Sequence, residues 1–328
     1  MVDNIKIGRA IRTLREKAGL TQKDLADKLF VSSVAVSKWE RGKSLPDIPT
    51  LRELAVLLEM DVDGLIDGTS TYMDDKWKGI LILGGSGSAA AWELLYDKPV
   101  IDYLLGYFLL AGVRNILIGC GEKERTYIEA RFRGGEVLNV KLRFVDSSEI
   151  GPAALLAEHG SWLPSSDIML ITQPFFLYGV DLTRFMQRAM QREGTIINMT
   201  SVVGHSDEFE DLSVAGATYF YESLPLFFLN GDEIVNHIAE TWDIFLGKAR
   251  SSGELRLEPM DKGFVTTPLN GEESLKLASD LTRIIQILGK YKVYCPLEIA
   301  YRRGMISRDK MLLEGTLFPE YREYVDTI

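Results

Sequence analysis

The first rhythm of apolar and polar positions along the chain is helical. Ile7, Ile11 and Leu14 recur at three- and four-residue steps and Gly19 stands where a helix would be capped, so the pattern predicts a helix over residues 4–17. Thr21 reads as an N-cap with Asp24 in the first turn. Leu25, Ala26 and Leu29 then form the apolar face of a second helix ending near Lys28. After Phe30 and Val31, Ser32 can cap a third short helix that buries Val36 and Trp39 and stops before Gly42. Asp47 to Pro49 open a fourth, carrying Leu51, Leu54, Ala55, Leu57 and Leu58, and Val62, Leu65 and Ile66 close the unit.

Gly68, Thr69, Ser70 and Thr71 break the pattern, and beyond them the rhythm changes. Residues 78–83 are a short apolar run that leads into Gly84-Gly85-Ser86-Gly87-Ser88, with a helix-forming stretch behind it. Further strands are predicted at 115–119, 141–145, 167–172 and 195–199, separated by helical segments such as 101–111 and 182–191. Strands alternating with helices imply a parallel, largely buried sheet. The expected organisation is an all-α head at 1–67, a linker at 68–76 and an α/β body at 77–328, without internal repeats.

Charge sharpens this division. The net charge of −10 looks wrong for a nucleic-acid binder, but residues 1–43 carry ten Lys/Arg against five acids, or +5, leaving about −15 on the rest. Attraction to phosphate is thus confined to the head, and the acidic body would be repelled by DNA. Charged residues at 26% and apolar ones at 46% suit a soluble globular chain. The polar start and the lack of a long uninterrupted apolar run set the expectation of a cytoplasmic protein with no membrane partner. Cys120 and Cys295 are far apart and His159, His205 and His237 are scattered, so no metal site, disulfide framework or nucleophile pattern is expected. The aromatics Phe175, Phe176, Tyr219, Phe220, Tyr221, Phe227 and Phe228 read chiefly as core strand residues, with one near Tyr219 open to flanking a sugar.

The strand–glycine–helix turn at Gly84, Gly85, Ser86, Gly87 and Ser88 has the chemistry of a phosphate cradle: glycines admit an anion close to the backbone, whose N–H groups donate to it. A tight strand-to-helix turn would want the same glycines, so the loop alone leaves both readings open.

Two resemblances follow. Leu20-Thr21-Gln22, Leu25-Ala26 and Ser37-Lys38-Trp39-Glu40-Arg41-Gly42-Lys43 resemble the Cro/cI-type (XRE) helix-turn-helix, over the first fifth of the chain. That family places its third helix in the major groove. The resemblance implies that Ser32, Ser33, Val34, Ser37 and Lys38 face base edges, with Ser32 more a cap than a base reader. It further implies that Gln22, Arg41 and Lys43 grip phosphates and that Arg15 and Glu40 form an internal ion pair. Such a head can also serve protein contacts alone.

Residues 78–88, Tyr96-Asp97-Lys98-Pro99-Val100-Ile101, 110–118, Tyr178-Gly179-Val180-Asp181-Leu182 and 295–304 are similar to the sugar-1-phosphate nucleotidyltransferases, especially glucose-1-phosphate thymidylyltransferases, over about 76–310. The implied body is a nucleotidyltransferase-like α/β domain, Rossmann-like with a mostly parallel sheet. A dinucleotide-binding reading fails for want of an acid closing the second strand. The departures are concentrated where that family does its chemistry. Its triphosphate-binding arginine corresponds to Ala89, the insertion carrying a phosphate-binding lysine is absent between Ser88 and Asp97, and its two Mg²⁺-binding aspartates correspond to Pro174 and Pro268.

The expectation is therefore a pseudoenzyme, with no catalytic residue, metal or cofactor. The chain would be a regulator that binds a double-stranded operator, with a nucleotide or sugar-phosphate effector and a homodimer or higher homo-oligomer. Analogy suggests cell-surface polysaccharide genes as its targets. Two alternatives stand beside it: a body that only oligomerises the heads, and an active nucleotidyltransferase with rerouted metal ligands.

Overall fold

The computed structural model describes residues 4–58, 65, 77–83, 88–146, 159, 161–163, 166–182, 185–186, 196–203, 212–214, 217–230, 242–260 and 263–328. Two units result, one made of Met1–Asp74 with Pro296–Ile328 and the other of Asp75–Cys295. The C-terminal stretch, which the sequence reading keeps in one domain over 77–328, thus groups with the head. The linker at 68–76 lies outside the described residues.

In the head, α1 (Asn4–Lys17), α2 (Gln22–Lys28), α3 (Ser33–Glu40) and α4 (Ile48–Leu57) follow the predicted apolar rhythm. Ile7, Ile11, Leu14, Leu25, Val36, Trp39 and Leu54 meet in one buried cluster. The starts of α2, α3 and α4 are each closed by a side chain: the Asp24 N–H donates to Thr21 Oγ1 at 3.1 Å, Ala35 N–H to Ser32 Oγ at 3.1 Å, and Thr50 N–H to Asp47 Oδ1 at 2.8 Å. Gly8 lets α1 touch the end of α3, since a Cβ there would lie 2.3 Å from the Trp39 carbonyl oxygen.

The second unit is built on a mixed sheet. Its strands are β1 (Trp77–Ile82), a two-residue pair β2 (Leu94–Leu95) and β3 (Lys98–Pro99), β4 (Asn115–Cys120), β5 (Lys141–Asp146), β6 (Asp167–Ile171), β7 (Phe175–Tyr178), β8 (Ile196–Val203), β9 (Leu212–Val214), β10 (Ala217–Asn230), β11 (Leu255–Pro259) and β12 (Val265–Pro268). Between them lie α5 (Val100–Leu110), α6 (Glu122–Phe132), α7 (Trp242–Ser252) and α8 (Glu272–Gly289). The main sheet runs β11-β8-β10-β6-β1-β4-β5, with β9 on β10. The pairs from β6 to β5 and the β8–β11 pair are parallel, whereas β10 is antiparallel to both neighbours. The expected α/β class with a mostly parallel sheet is what the structure has, with this one reversed strand added.

Packing explains α5. Val100 to Leu109 are all buried, and the one charged residue among them, Asp102, is held by Arg131 through two bonds of 2.7 and 2.6 Å. A buried carboxylate without such a partner would be costly. Gly79 on β1 takes the close approach of this helix, because a Cβ there would lie 2.8 Å from the Phe108 ring. The other face of the sheet is sealed by Ile80, Ile168, Leu170, Ile196, Phe227 and Phe245.

The helices α9 (Pro296–Arg302), α10 (Arg308–Gly315) and α11 (Arg322–Val325) complete the first unit, with Met311, Phe318, Tyr321 and Val325 buried. The predicted helix at 182–191 lies largely outside the described residues. No helix among the described residues is long and apolar enough to cross a membrane.

Candidate functional site

Helix α3 divides its residues cleanly. Val36, Trp39 and Glu40 are buried while Ser33, Val34 and Lys38 are exposed and Ser37 is half-buried. Four of the predicted base-facing residues therefore lie away from the core on one short helix. Ser32, just before it, spends its hydroxyl on the Ala35 N–H. Arg41 and Lys43 are exposed beyond the helix, with Arg41 Nε donating to the Ser37 carbonyl at 3.0 Å.

The predicted pair is formed beneath this surface: Arg15 Nε reaches Glu40 Oε1 at 2.5 Å and Nη2 reaches Oε2 at 3.2 Å. Arg15 Nη1 also donates to the Leu20 carbonyl at 2.7 Å, tying α1 to the start of α2. Hydrogen bonding to Glu40 raises the Arg15 pKa against the opposing effect of burial. Gln22, expected at a phosphate, turns one amide N–H to Glu40 Oε2 at 2.7 Å. The physical reason is that a carboxylate this buried draws every donor within reach.

Sequence reasoning passed over Phe30. Its side chain is 95% exposed and its backbone has φ of +54°, the left-handed region that a non-glycine residue enters at a cost. Phe30→Gly should relieve that strain and raise the head's unfolding free energy by up to about 1 kcal/mol. Equilibrium denaturation checks this, and a lower midpoint would show that the phenyl ring has a stabilising contact.

In the body, Gly84, Gly85, Ser86 and Gly87 lie outside the described residues, and Ser88 is half-buried. The chain just after them is well fixed. The Ala89 N–H donates to the Leu269 carbonyl at 2.7 Å, and the Leu269 N–H donates to the Pro174 carbonyl at 3.1 Å. Strands β7 and β12 pair antiparallel with Pro268 opposite Phe175. Ala89, Pro174 and Pro268, far apart in sequence, are thus joined at one place through the backbone. None brings an ionisable side chain there.

A second constellation was not foreseen. Lys98 is 0% exposed, with Nζ 3.2 Å from Asp97 Oδ1 and 4.1 Å from the Tyr103 ring centre. Lys292 Nζ holds the other oxygen of Asp97 at 2.6 Å. Burial lowers the Lys98 pKa, opposed by Asp97; burial would raise Asp97, but the two lysines outweigh it and hold its carboxyl below the ordinary value. The sequence signal was only the Asp97-Lys98-Pro99 run, which fixes neither burial nor the remote Lys292.

Both cysteines are buried, and burial pushes the Cys120 thiol up to about 12. Phe175, Phe176, Phe227 and Phe228 are core residues, as expected. The side chains of Tyr219, Phe220 and Tyr221, together with His205 and His237, lie outside the described residues; His159 is half-buried.

Comparison with known proteins agrees with both units. A family described as helix-turn-helix matches residues 11–65. Over 64 residues the chain is 34% identical to the HTH-type transcriptional activator BcrR of Enterococcus faecalis, covering 20% of this chain and 31% of that protein. A glucose-1-phosphate thymidylyltransferase of Xanthomonas campestris is 26% identical over 286 residues, 76% of this chain and 96% of the relative. A solved Bacillus anthracis structure assigned as a glucose-1-phosphate thymidylyltransferase, in complex with sucrose, superposes with a TM-score of 0.54 at 13% identity, covering 63% of this chain and 95% of its own. The chain therefore joins a DNA-binding type of head to a nucleotidyltransferase-like body. More particularly, the head is a helix-turn-helix domain of the XRE type and the body is homologous to glucose-1-phosphate thymidylyltransferases.

Proposed function

We propose that the chain is a transcription regulator whose nucleotidyltransferase-like body binds a sugar nucleotide or a related phosphate compound without transferring a nucleotidyl group, and thereby biases operator binding by the head. One observation carries the reading: Ala89, Pro174 and Pro268 are joined through two backbone hydrogen bonds, at the positions where the resemblance implies an arginine and two Mg²⁺-binding aspartates. Proline and alanine side chains have no ligand atom, so the residues at this place do not fit the metal. Phosphoryl transfer relies on positioning and on neutralising developing charge, and loss of those groups together would cost many orders of magnitude in rate. Binding makes lighter demands. The glycine run at 84–88 keeps the composition of a phosphate cradle, with Ser88 at its edge.

A thermal-shift titration with thymidine and uridine sugar nucleotides, their triphosphates and glucose 1-phosphate, each with and without Mg²⁺, tests the binding claim. A ligand at about one hundred times its Kd adds about 2.7 kcal/mol. The expected result is a saturable, Mg²⁺-independent rise for one nucleotide class, alongside no turnover in a nucleotidyl-transfer assay. Turnover with Mg²⁺ would overturn the loss of activity. No shift at millimolar ligand would remove the sensor and leave the body as a scaffold for pairing heads.

A further inference from the structure

Helix α8 has more apolar surface than its own unit covers. One face, with Ala278 and Thr282, is buried, and the helix is fastened on that side to the β2–β3 segment, where the Tyr96 N–H donates to Ser279 Oγ at 3.0 Å. A second face bears Leu277, Ile284, Ile287 and Leu288, all exposed, with Leu288 at 78% and Leu277 at 53%. A helix on a globular surface is expected to turn charge, not leucine and isoleucine, to water on its outer side. Scattered single apolar residues need no account, but a contiguous row on one helix does.

The spacing of the row is specific. Leu277, the half-buried Leu281, Ile284 and Leu288 follow one another at four, three and four residues, the alternation of a coiled-coil seam. Charge then selects the occupant. The first half of the helix bears Glu272, Glu273, Lys276 and Asp280, and the second half with the residue after it bears only Arg283 and Lys290. A net-acidic front and a basic rear make the helix complementary to itself run antiparallel, whereas a parallel copy would stack like charge on like. Antiparallel alignment also sets opposite helix dipoles side by side.

We infer that α8 is the seam of a two-fold homodimer, in which the Leu277–Leu288 row of one chain packs against the same row of a second copy run antiparallel. The contact is isologous, each α8 presenting the same patch, with Glu272 and Glu273 of one helix beside Lys290 of the other. Two chains joined in this way carry two heads, the number that reading both halves of a two-fold operator requires. The inference stands apart from ligand binding by the body.

Light scattering on the purified full chain at micromolar concentration, without DNA, tests it. The expected mass is twice 36.8 kDa for the wild type. With Ile284→Glu and Leu288→Glu together it should fall to that of one chain, with the circular-dichroism spectrum unchanged because both sites face water within one chain, and with the melting temperature lowered and no longer dependent on protein concentration. Ile284→Cys, oxidised with copper phenanthroline, should give a covalent dimer faster than Leu313→Cys on the exposed face of α10. A wild type of single mass, a dimer that survives the double substitution, or cross-linking no faster at Ile284 than at Leu313 would each overturn the assignment. None of these outcomes depends on whether the head binds DNA.

Discussion

Glu40→Ala is expected to cost the head about 3–5 kcal/mol, because it leaves the guanidinium of Arg15 inside the domain without its counter-charge. A unit of this size has only about 3–10 kcal/mol in total, so the variant head should be largely unfolded near physiological temperature. Arg15 and Glu40 are both 8% exposed, and solvent cannot take over the lost bonds. Gln22 would lose its partner at the same time, and the tie from Arg15 to the Leu20 carbonyl would be left to hold α1 and α2 alone. The converse experiment separates pairing from packing. Replacing both residues by methionine removes two charges together, and replacement of buried ion pairs by apolar groups of similar volume is often neutral. Scanning calorimetry of the full chain should therefore show the head's transition abolished or moved far down in Glu40→Ala and largely recovered in Arg15→Met with Glu40→Met. A single variant within about 1 kcal/mol of wild type would mean that the pair is solvated in solution and contributes as surface pairs do.

The head was legible in the sequence almost throughout because its signals are local. Caps at Thr21, Ser32 and Asp47 and an apolar step of three and four fix helices whose ends lie within a residue or two of prediction. Even the Arg15–Glu40 pair was available by resemblance, but the turn of Gln22 toward Glu40 was not, since it depends on how much water reaches the carboxylate. In the body the parallel strands at 77–82, 115–120 and 167–171 announced themselves as short buried runs, and 141–146, the half-exposed edge strand, by its apolar Leu142, Phe144 and Val145. The reversed course of β10 did not. Its aromatic residues read as core strand, yet direction follows from which edge the chain returns to, and Pro225 sits where the pairing with β8 shifts between Ser223 and Phe227. The backbone junction of Ala89, Leu269 and Pro174 is a non-local fact of the same kind, as is the approach of Lys292 to Asp97 across almost two hundred residues.

That last contact leads to the other large effect. Asp97→Ala should destabilise the body by about 3–5 kcal/mol, since Lys98, fully enclosed, would have to stay charged without the carboxylate that now holds it or give up its proton. Lys98→Met should be far milder: Asp97 retains Lys292 at 2.6 Å, and the methionine can rest on the Tyr103 ring as the ammonium now does. The asymmetry between the two substitutions is the test, because a contact that mattered only through packing would make Lys98→Met the worse. Acid offers an independent reading. Asp97 is held below its unfolded value, so the folded state binds fewer protons there and the pair's stabilisation is complete above the ordinary carboxylate pKa of about 4. It is lost as pH falls through the folded value. Urea midpoints measured from pH 7 down to pH 3 should thus converge for wild type and Asp97→Asn at the acid end, with the wild type well ahead at neutral pH. A gap that stayed constant across that range would show that the carboxylate acts through its shape and not through its charge.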